Sequence, residues 1–312
     1  MTFSKSGDGT PSAPVPELPA DSWPHIALYR RVREALMSLP LYFRTQTVIE
    51  GISAVDIFTL NAALGATIEN QVVATLNQMR DVWDPQDEYM QYGFVRQSQT
   101  FPDVLLRRIG DGDAAPAAPL LGIELKGWYL LAKEAEPSFR FAVTPAACAP
   151  QDLIVVVPWA LGNILSGSPT VFAPYIESAR YAAEFRNFHW EHLREAKGDA
   201  GIKLAAGVHP YPSKAHAISD APVSDKGGNF GRFARTGIMD AYLTRARQEL
   251  LAGIRAEHWL GFFKVFQDQK GATAISVEIE KLRTKLTAVD APASERTESA
   301  LTILAHLERL LS

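Results

Sequence analysis

The run Leu153-Ile154-Val155-Val156-Val157, with Trp159 just beyond it, limits the fold more than any other stretch of the chain. Its four β-branched side chains in succession favour a pleated strand. Apolar residues that do not alternate with polar ones need cover on both faces, which only a strand at the centre of a sheet receives. A central strand over 152–159 is therefore expected, in a mixed β-sheet flanked by helices.

A second β unit is written between Phe101 and Trp128. Phe101-Pro102-Asp103 leads into Val104-Leu105-Leu106, and Leu121-Gly122-Ile123-Glu124-Leu125-Lys126 forms a second apolar run. Gly110-Asp111-Gly112-Asp113 and an Ala/Pro tract to Pro119 separate them, a composition suited only to a connecting loop. The reading is strand, loop, strand. With a period of two, Leu121, Ile123 and Leu125 share one face while Gly122, Glu124 and Lys126 share the other. A carboxylate and an amine side by side on a mostly buried strand need each other, a metal ion or a ligand. Asp103, at the start of the neighbouring strand, supplies a second carboxylate.

The pattern of Pro102-Asp103 followed by Glu124-Leu125-Lys126 resembles the PD-(D/E)xK nuclease superfamily, which includes most type II restriction endonucleases and many repair nucleases. The resemblance covers about residues 60–160. It implies an α/β (α+β) fold with a restriction-endonuclease-like core, and catalysis by Asp103, Glu124 and Lys126. It further implies Mg²⁺, as one or two ions held by Asp103, Glu124 and the main-chain carbonyl of Leu125, with Lys126 polarising the attacking water. Products would carry 5′-phosphate and 3′-hydroxyl ends.

The helix expected over 59–79 carries Leu60, Leu64, Ile68, Val72, Leu76 and Met79 at spacings of three and four, a stripe suited to packing on a sheet. Glu69 lies at the edge of that stripe and points inward, with Gly65 one turn before it leaving room for a close approach. On the residues alone, Glu69 is either the partner of a lysine or arginine or a functional acid. The resemblance gives it the inward acid's role of holding the metal or its water.

Elsewhere the pattern is coarser. Residues 1–20 hold Gly, Ser, Pro and Ala and read as a disordered leader. Ile26, Tyr29, Val32 and Leu36 predict an amphipathic helix ending near Pro40. Residues 80–89 read as a connection, 91–97 as a first core strand antiparallel to the next, 139–143 as strand or extended loop, and 161–174 as a connection. Tyr175 to Glu195 reads as a helix on which Glu177 and Glu184 pair with Arg180 and Arg186. His189-Trp190-Glu191-His192 lacks the spacing of helical zinc motifs, so these histidines are read as helix-surface or DNA-facing groups. Residues 201–235 form a long loop-rich segment in which Lys226 and Arg235 suit phosphates and Asn229 and Arg232 suit base edges. Helical periodicity dominates 236–266 and 274–311, the latter as a helical pair broken near Pro292.

The 312 residues suit one large α/β domain, expected over 21–272, with C-terminal helices over 273–312 for packing or dimerisation. A net charge of −4 offers no global support for nucleic-acid binding and argues against a nonspecific coating protein. A site-specific nuclease concentrates its cations in a cleft. The single cysteine, Cys148, excludes a disulfide framework and a cysteine-based zinc site. No apolar run reaches the length of a membrane span and no signal-peptide layout opens the chain, so a cytoplasmic protein is expected. These features lead to the expectation of a homodimeric, Mg²⁺-dependent, site-specific double-strand DNA endonuclease with a companion DNA methyltransferase. The alternatives are a repair or recombination nuclease of the same superfamily and a non-catalytic DNA-binding protein with its fold.

Overall fold

Strand β4 (Leu153–Leu161) forms where the valine-rich run demands it, and all nine of its residues are buried. The computed structural model describes residues 11–54, 56–97, 100–110, 118–195, 197–267, 272–287, 301–302 and 304–305. Four helices precede the sheet: α1 (Ile26–Met37), α2 (Leu39–Tyr42), α3 (Leu60–Gln78) and α4 (Arg80–Trp83). The sheet begins with β1 (Tyr92–Arg96), β2 (Val104–Arg108) and β3 (Leu121–Tyr129), and is completed by β4, β5 (Pro169–Val171) and β6 (Tyr175–Ser178). Helix α5 (Ala179–Phe188), the short pair β7 (Ile202–Lys203) and β8 (Ala221–Pro222), and α6 (Asp240–Ala246) follow. The hairpin β9 (Leu250–Leu251) and β10 (Ile254–Arg255) then leads to α7 (Ala256–Gln267) and α8 (Ala272–Thr287). No helix among the described residues is long and apolar enough to cross a membrane.

The protein is thus mixed α/β, with a mixed central sheet. Strands β1, β2 and β3 form an antiparallel meander, and β4 runs parallel to β3. The other edge of β4 is taken by β6 along its first half and by β5 along its second, both antiparallel. Helix α3 packs across β3 and β1, burying Leu60, Ile68, Val72 and Leu76 of the expected stripe, and Val73 beside it.

Three polar residues of α3 also complete strand edges. The Asn77 carboxamide exchanges two hydrogen bonds of 2.8 Å with the N–H and carbonyl of Phe94 in β1. Glu69 Oε1 accepts from the Gly127 N–H at 3.1 Å, and Asn61 Oδ1 from the Tyr129 N–H at 3.0 Å, both in β3. The two bonds to β3 are needed because β2 pairs with β3 only over Leu121–Ile123, and Asn77 serves β1, which is the end strand of the sheet; these backbone groups would otherwise be unpaired.

Several elements differ from the sequence reading. Helix α1 stops at Met37, and Pro40 lies in the first turn of α2, a position that needs no backbone donor. The stretch read as a connection at 80–89 begins with α4, and the one at 161–174 contains β5. The helix expected from Tyr175 begins as β6, becomes helical at Ala179 behind Ser178, whose Oγ accepts from the Tyr181 N–H, and ends in a π turn, His189–Leu193. Within the leader, residues 11–20 are described and Pro19 is buried. Residues 1–10, the Gly-Asp-rich turn at 111–117 and the break near Pro292 lie outside the described residues.

The expected pairing of Glu177 and Glu184 with Arg180 and Arg186 is corrected for Glu177 and Arg186, whereas the charge of Arg180 does act on Glu184, lowering a carboxyl that burial raises. Glu177 belongs to β6, and Arg180 donates to the Cys148 carbonyl. Arg186 is buried against Asp220 at 2.6 Å, and donates to the carbonyls of Phe141 and Val143 and to Asn187 Oδ1. The chain joining β3 to β4 is therefore fastened by this guanidinium, and also by backbone bonds between Phe141 and Gly231, Thr144 and Ile218, and Asp220 and Ala142.

Asp152 joins β3 to β4. Its Oδ1 accepts from the Gly122 N–H at 2.7 Å and from the Tyr211 hydroxyl at 3.1 Å, and its Oδ2 accepts from the Ala149 N–H at 2.7 Å. Burial pushes this carboxyl from 3.8 up to about 6, against the downward pull of those three bonds. The native state therefore holds the proton more tightly than the unfolded chain, and stability falls as pH rises through this window. The rise to about 6 is worth about 3 kcal/mol. Urea unfolding between about pH 4 and 6.5 should show a steeper loss of stability in the wild type than in Asp152→Asn; parallel curves would contradict this.

Candidate active site

Gly122 sets the position of Asp103. A Cβ on Gly122 would lie 2.2 Å from Pro102 Cγ and 2.8 Å from Asp152 Oδ1, so only glycine lets Pro102 lie directly on β3. That approach delivers Asp103, the next residue, to the margin of β3 where β2 pairing ends. Its N–H lies 3.3 Å from Glu124 Oε2, and its Oδ2 accepts from the Leu125 N–H at 3.1 Å. The two acids expected to meet across the sheet are brought side by side.

A Cβ on Gly127 would face the Gly65 carbonyl and Glu69 Cγ of α3. Leu121, Ile123 and Leu125 share that face by alternation, whereas Glu124 and Lys126 project from the opposite one. Lys126 then reaches around the unpaired edge of β3, where its Nζ lies 3.5 Å from Glu69 Oε1. Arg96, the last residue of β1, places a guanidinium nitrogen 3.6 Å from Glu69 Oε2. It also donates to Asn70 Oδ1. Helix α3, strands β1 and β3, and Asp103 just before β2 thus each contribute a charged side chain to one cluster.

The cluster is electrostatically tense on its acidic side. Burial raises Asp103 above the usual carboxylate range, opposed by the Leu125 N–H and reinforced by the charge of Glu69. Glu124 is raised well above that range, first by burial and then by the charge of Asp103. Two neighbouring carboxylates withdrawn from water are poorly tolerated as anions unless positive charge stands close by.

Glu69, Asp103, Glu124 and Lys126 are therefore brought together. Lys226, Asn229, Arg232 and Arg235 lie on the loop beyond β8. Lys226 is exposed, Asn229 donates to the Gly227 carbonyl, Arg232 has a buried Nε without a hydrogen-bond partner, and Arg235 is held by Glu136 at 2.5 Å. An aromatic chain through Phe101, Phe141 and Phe233 connects this loop to the start of β2. Among the described residues, no three or more His, Cys, Asp or Glu side chains form a group able to hold a metal, His189 and His192 included.

Sequence reasoning missed Arg96, Asn61, Asn77 and Tyr211. Asn61, Glu69 and Asn77 stand eight residues apart on α3, which turns each about 80° around the helix from the last, so their spacing carried no signal of one inward face. Arg96 carried no signal either, because a charged residue closing a short strand reads as solvated. No family model, curated protein or solved structure matches this chain.

Proposed function

We propose that this protein is a Mg²⁺-dependent, site-specific double-strand DNA endonuclease of the PD-(D/E)xK kind, acting as a homodimeric restriction enzyme with a companion methyltransferase. The observation that carries the reading is the meeting of Asp103 and Glu124 at the edge of β3 with Lys126 beside them. The order of α3, the β1–β2–β3 meander and a parallel β4 supports a restriction-endonuclease-like core around that cluster.

The residues present fit a hard divalent cation. Asp103 and Glu124 offer carboxylate oxygens that burial disfavours as anions, Glu124 the more so for the charge of Asp103. Leu125 directs its amide to Asp103, and a strand residue's carbonyl points to the same edge as its amide, which brings a third oxygen to that side. When bound there, Mg²⁺ supplies charge relief to the phosphoryl oxygens and acidifies water. Asp103 and Glu124 would hold the ion, and Lys126 would orient the attacking water and stabilise negative charge developing on the phosphoryl oxygens. The half-buried setting excludes enough water to strengthen each of these interactions.

Purified protein incubated with phage DNA and Mg²⁺, followed by sequencing of the ends, tests the reading. Fragments ending at one recurring sequence, with 5′-phosphates, are expected. Cutting that depends on DNA ends or branched structure would move the protein to a repair role. Binding without cutting would leave a non-catalytic DNA-binding protein.

A further inference from the structure

Both carboxylate oxygens of Glu69 are engaged by groups other than the two acids. Its Oε1 receives the Gly127 N–H at 3.1 Å and lies 3.5 Å from Lys126 Nζ, while its Oε2 lies 3.6 Å from Arg96. Glu69 is only 12% exposed, whereas Lys126 and Arg96 are 30% and 33% exposed and keep part of their surface open to solvent. Among the described residues, Glu69 does not complete a three-acid metal group with Asp103 and Glu124. Arg96 is further fixed by Asn70 and by the pairing of its backbone with Val104, the residue after Asp103.

We propose that Glu69 is a positioning carboxylate rather than a metal ligand: it holds Lys126 and Arg96 together as a two-cation wall that receives the scissile phosphate, with Arg96 a further substrate-contacting residue. The inference rests on the nuclease reading for the identity of the substrate, and on the geometry alone for the role of Glu69. A guanidinium held by a carboxylate and a carboxamide is pre-oriented for phosphate oxygens, because its planar fork is already fixed. The same carboxylate fixes the amine of Lys126, whose flexible stem would otherwise sample many rotamers. The Gly127 bond ties both cations to the backbone of β3. Glu69 therefore acts on the reacting atoms only through the two side chains it holds.

Two measurements without catalysis separate the roles. In Mn²⁺ binding to the protein without DNA, Asp103→Asn should weaken affinity about ten-fold or more. Glu69→Gln should change it by no more than about three-fold, since the lost charge is screened by Lys126 and Arg96. Acetylation of Lys126 by a limiting reagent, read by mass spectrometry against exposed Lys281, should become several-fold faster in Glu69→Gln. In Arg96→Gln, the slope of log affinity for duplex DNA against log salt should fall by about one. A Glu69→Gln loss of Mn²⁺ affinity equal to that of Asp103→Asn, or an unchanged Lys126 acetylation rate, would overturn the positioning role. An unchanged salt slope would remove Arg96 from the phosphate wall. A wild type that binds no Mn²⁺ would defeat the nuclease reading, while the acetylation rates would still decide whether Glu69 holds Lys126.

Discussion

Replacing Lys126 with alanine is expected to slow Mg²⁺-dependent strand cleavage by about 10³-fold while leaving duplex affinity in Ca²⁺ within a few-fold. The asymmetry follows from where the amine sits. Lys126 is held by Glu69 at the edge of β3, beside the two acids and partly open to solvent. Removing it withdraws one of several phosphate contacts in the ground state, which costs little binding. On the proposed nuclease reading it also withdraws the group that orients the attacking water and meets charge as it develops, a contribution made mainly in the transition state. Single-turnover cleavage with enzyme in excess separates the two, beside a binding isotherm in Ca²⁺. Equal losses in binding and cleavage would mean that Lys126 contributes only uniform affinity. An unchanged cleavage rate would exclude it from the chemistry.

The largest effect on stability is expected at Arg186. Substitution by leucine should cost about 3–5 kcal/mol, because Asp220 is then left charged and buried without its counter-ion, with only Asn187 and the Ala205 N–H still donating to it. Arg186 is 2% exposed and Asp220 fully buried. Burial lowers the Arg186 guanidinium to about 10, against the upward pull of Asp220, so it remains charged at neutral pH. The same side chain donates to two carbonyls of the segment between β3 and β4, and its guanidinium lies over the Phe230 ring. Loss of the cation therefore also leaves the Phe141 and Val143 carbonyls short of a donor. Urea unfolding of Arg186→Leu, Asp220→Leu and the double variant measures this. The double variant should be less destabilised than the sum of the singles. Strict additivity would show that the pair does not act as one unit.

The contrast between these residues shows what the chain discloses by itself. Glu124 and Lys126 were legible because strand parity is a local rule, and β4 because four β-branched residues admit few alternatives. Helix α3 was legible from its stripe, since 3.6-residue periodicity survives any tertiary context. Strand β6 was not. Its four residues run straight into α5 with no glycine or proline between, and only the capping serine, Ser178, marks the change. Arg186 was read as the partner of a helical glutamate because its true partner, Asp220, lies on a distant loop. Glu69 was correctly turned inward by its position on α3, but its engagement with Arg96 depends on how α3 crosses β1, which no local pattern encodes. The loop beyond β8 was read from composition alone, and Arg235 there is held by Glu136.

The meeting of Asp103 with Glu124 carries the account, and cleavage of supercoiled plasmid tests it most directly. Wild type and Asp103→Asn, purified alike, are incubated with the DNA in Mg²⁺ and in EDTA, and the products are separated and their ends labelled. The account predicts nicked or linear DNA with 5′-phosphate ends from the wild type in Mg²⁺ alone, and none from Asp103→Asn. Intact plasmid and phage DNA under every condition, or cutting by Asp103→Asn at the wild-type rate, would contradict it.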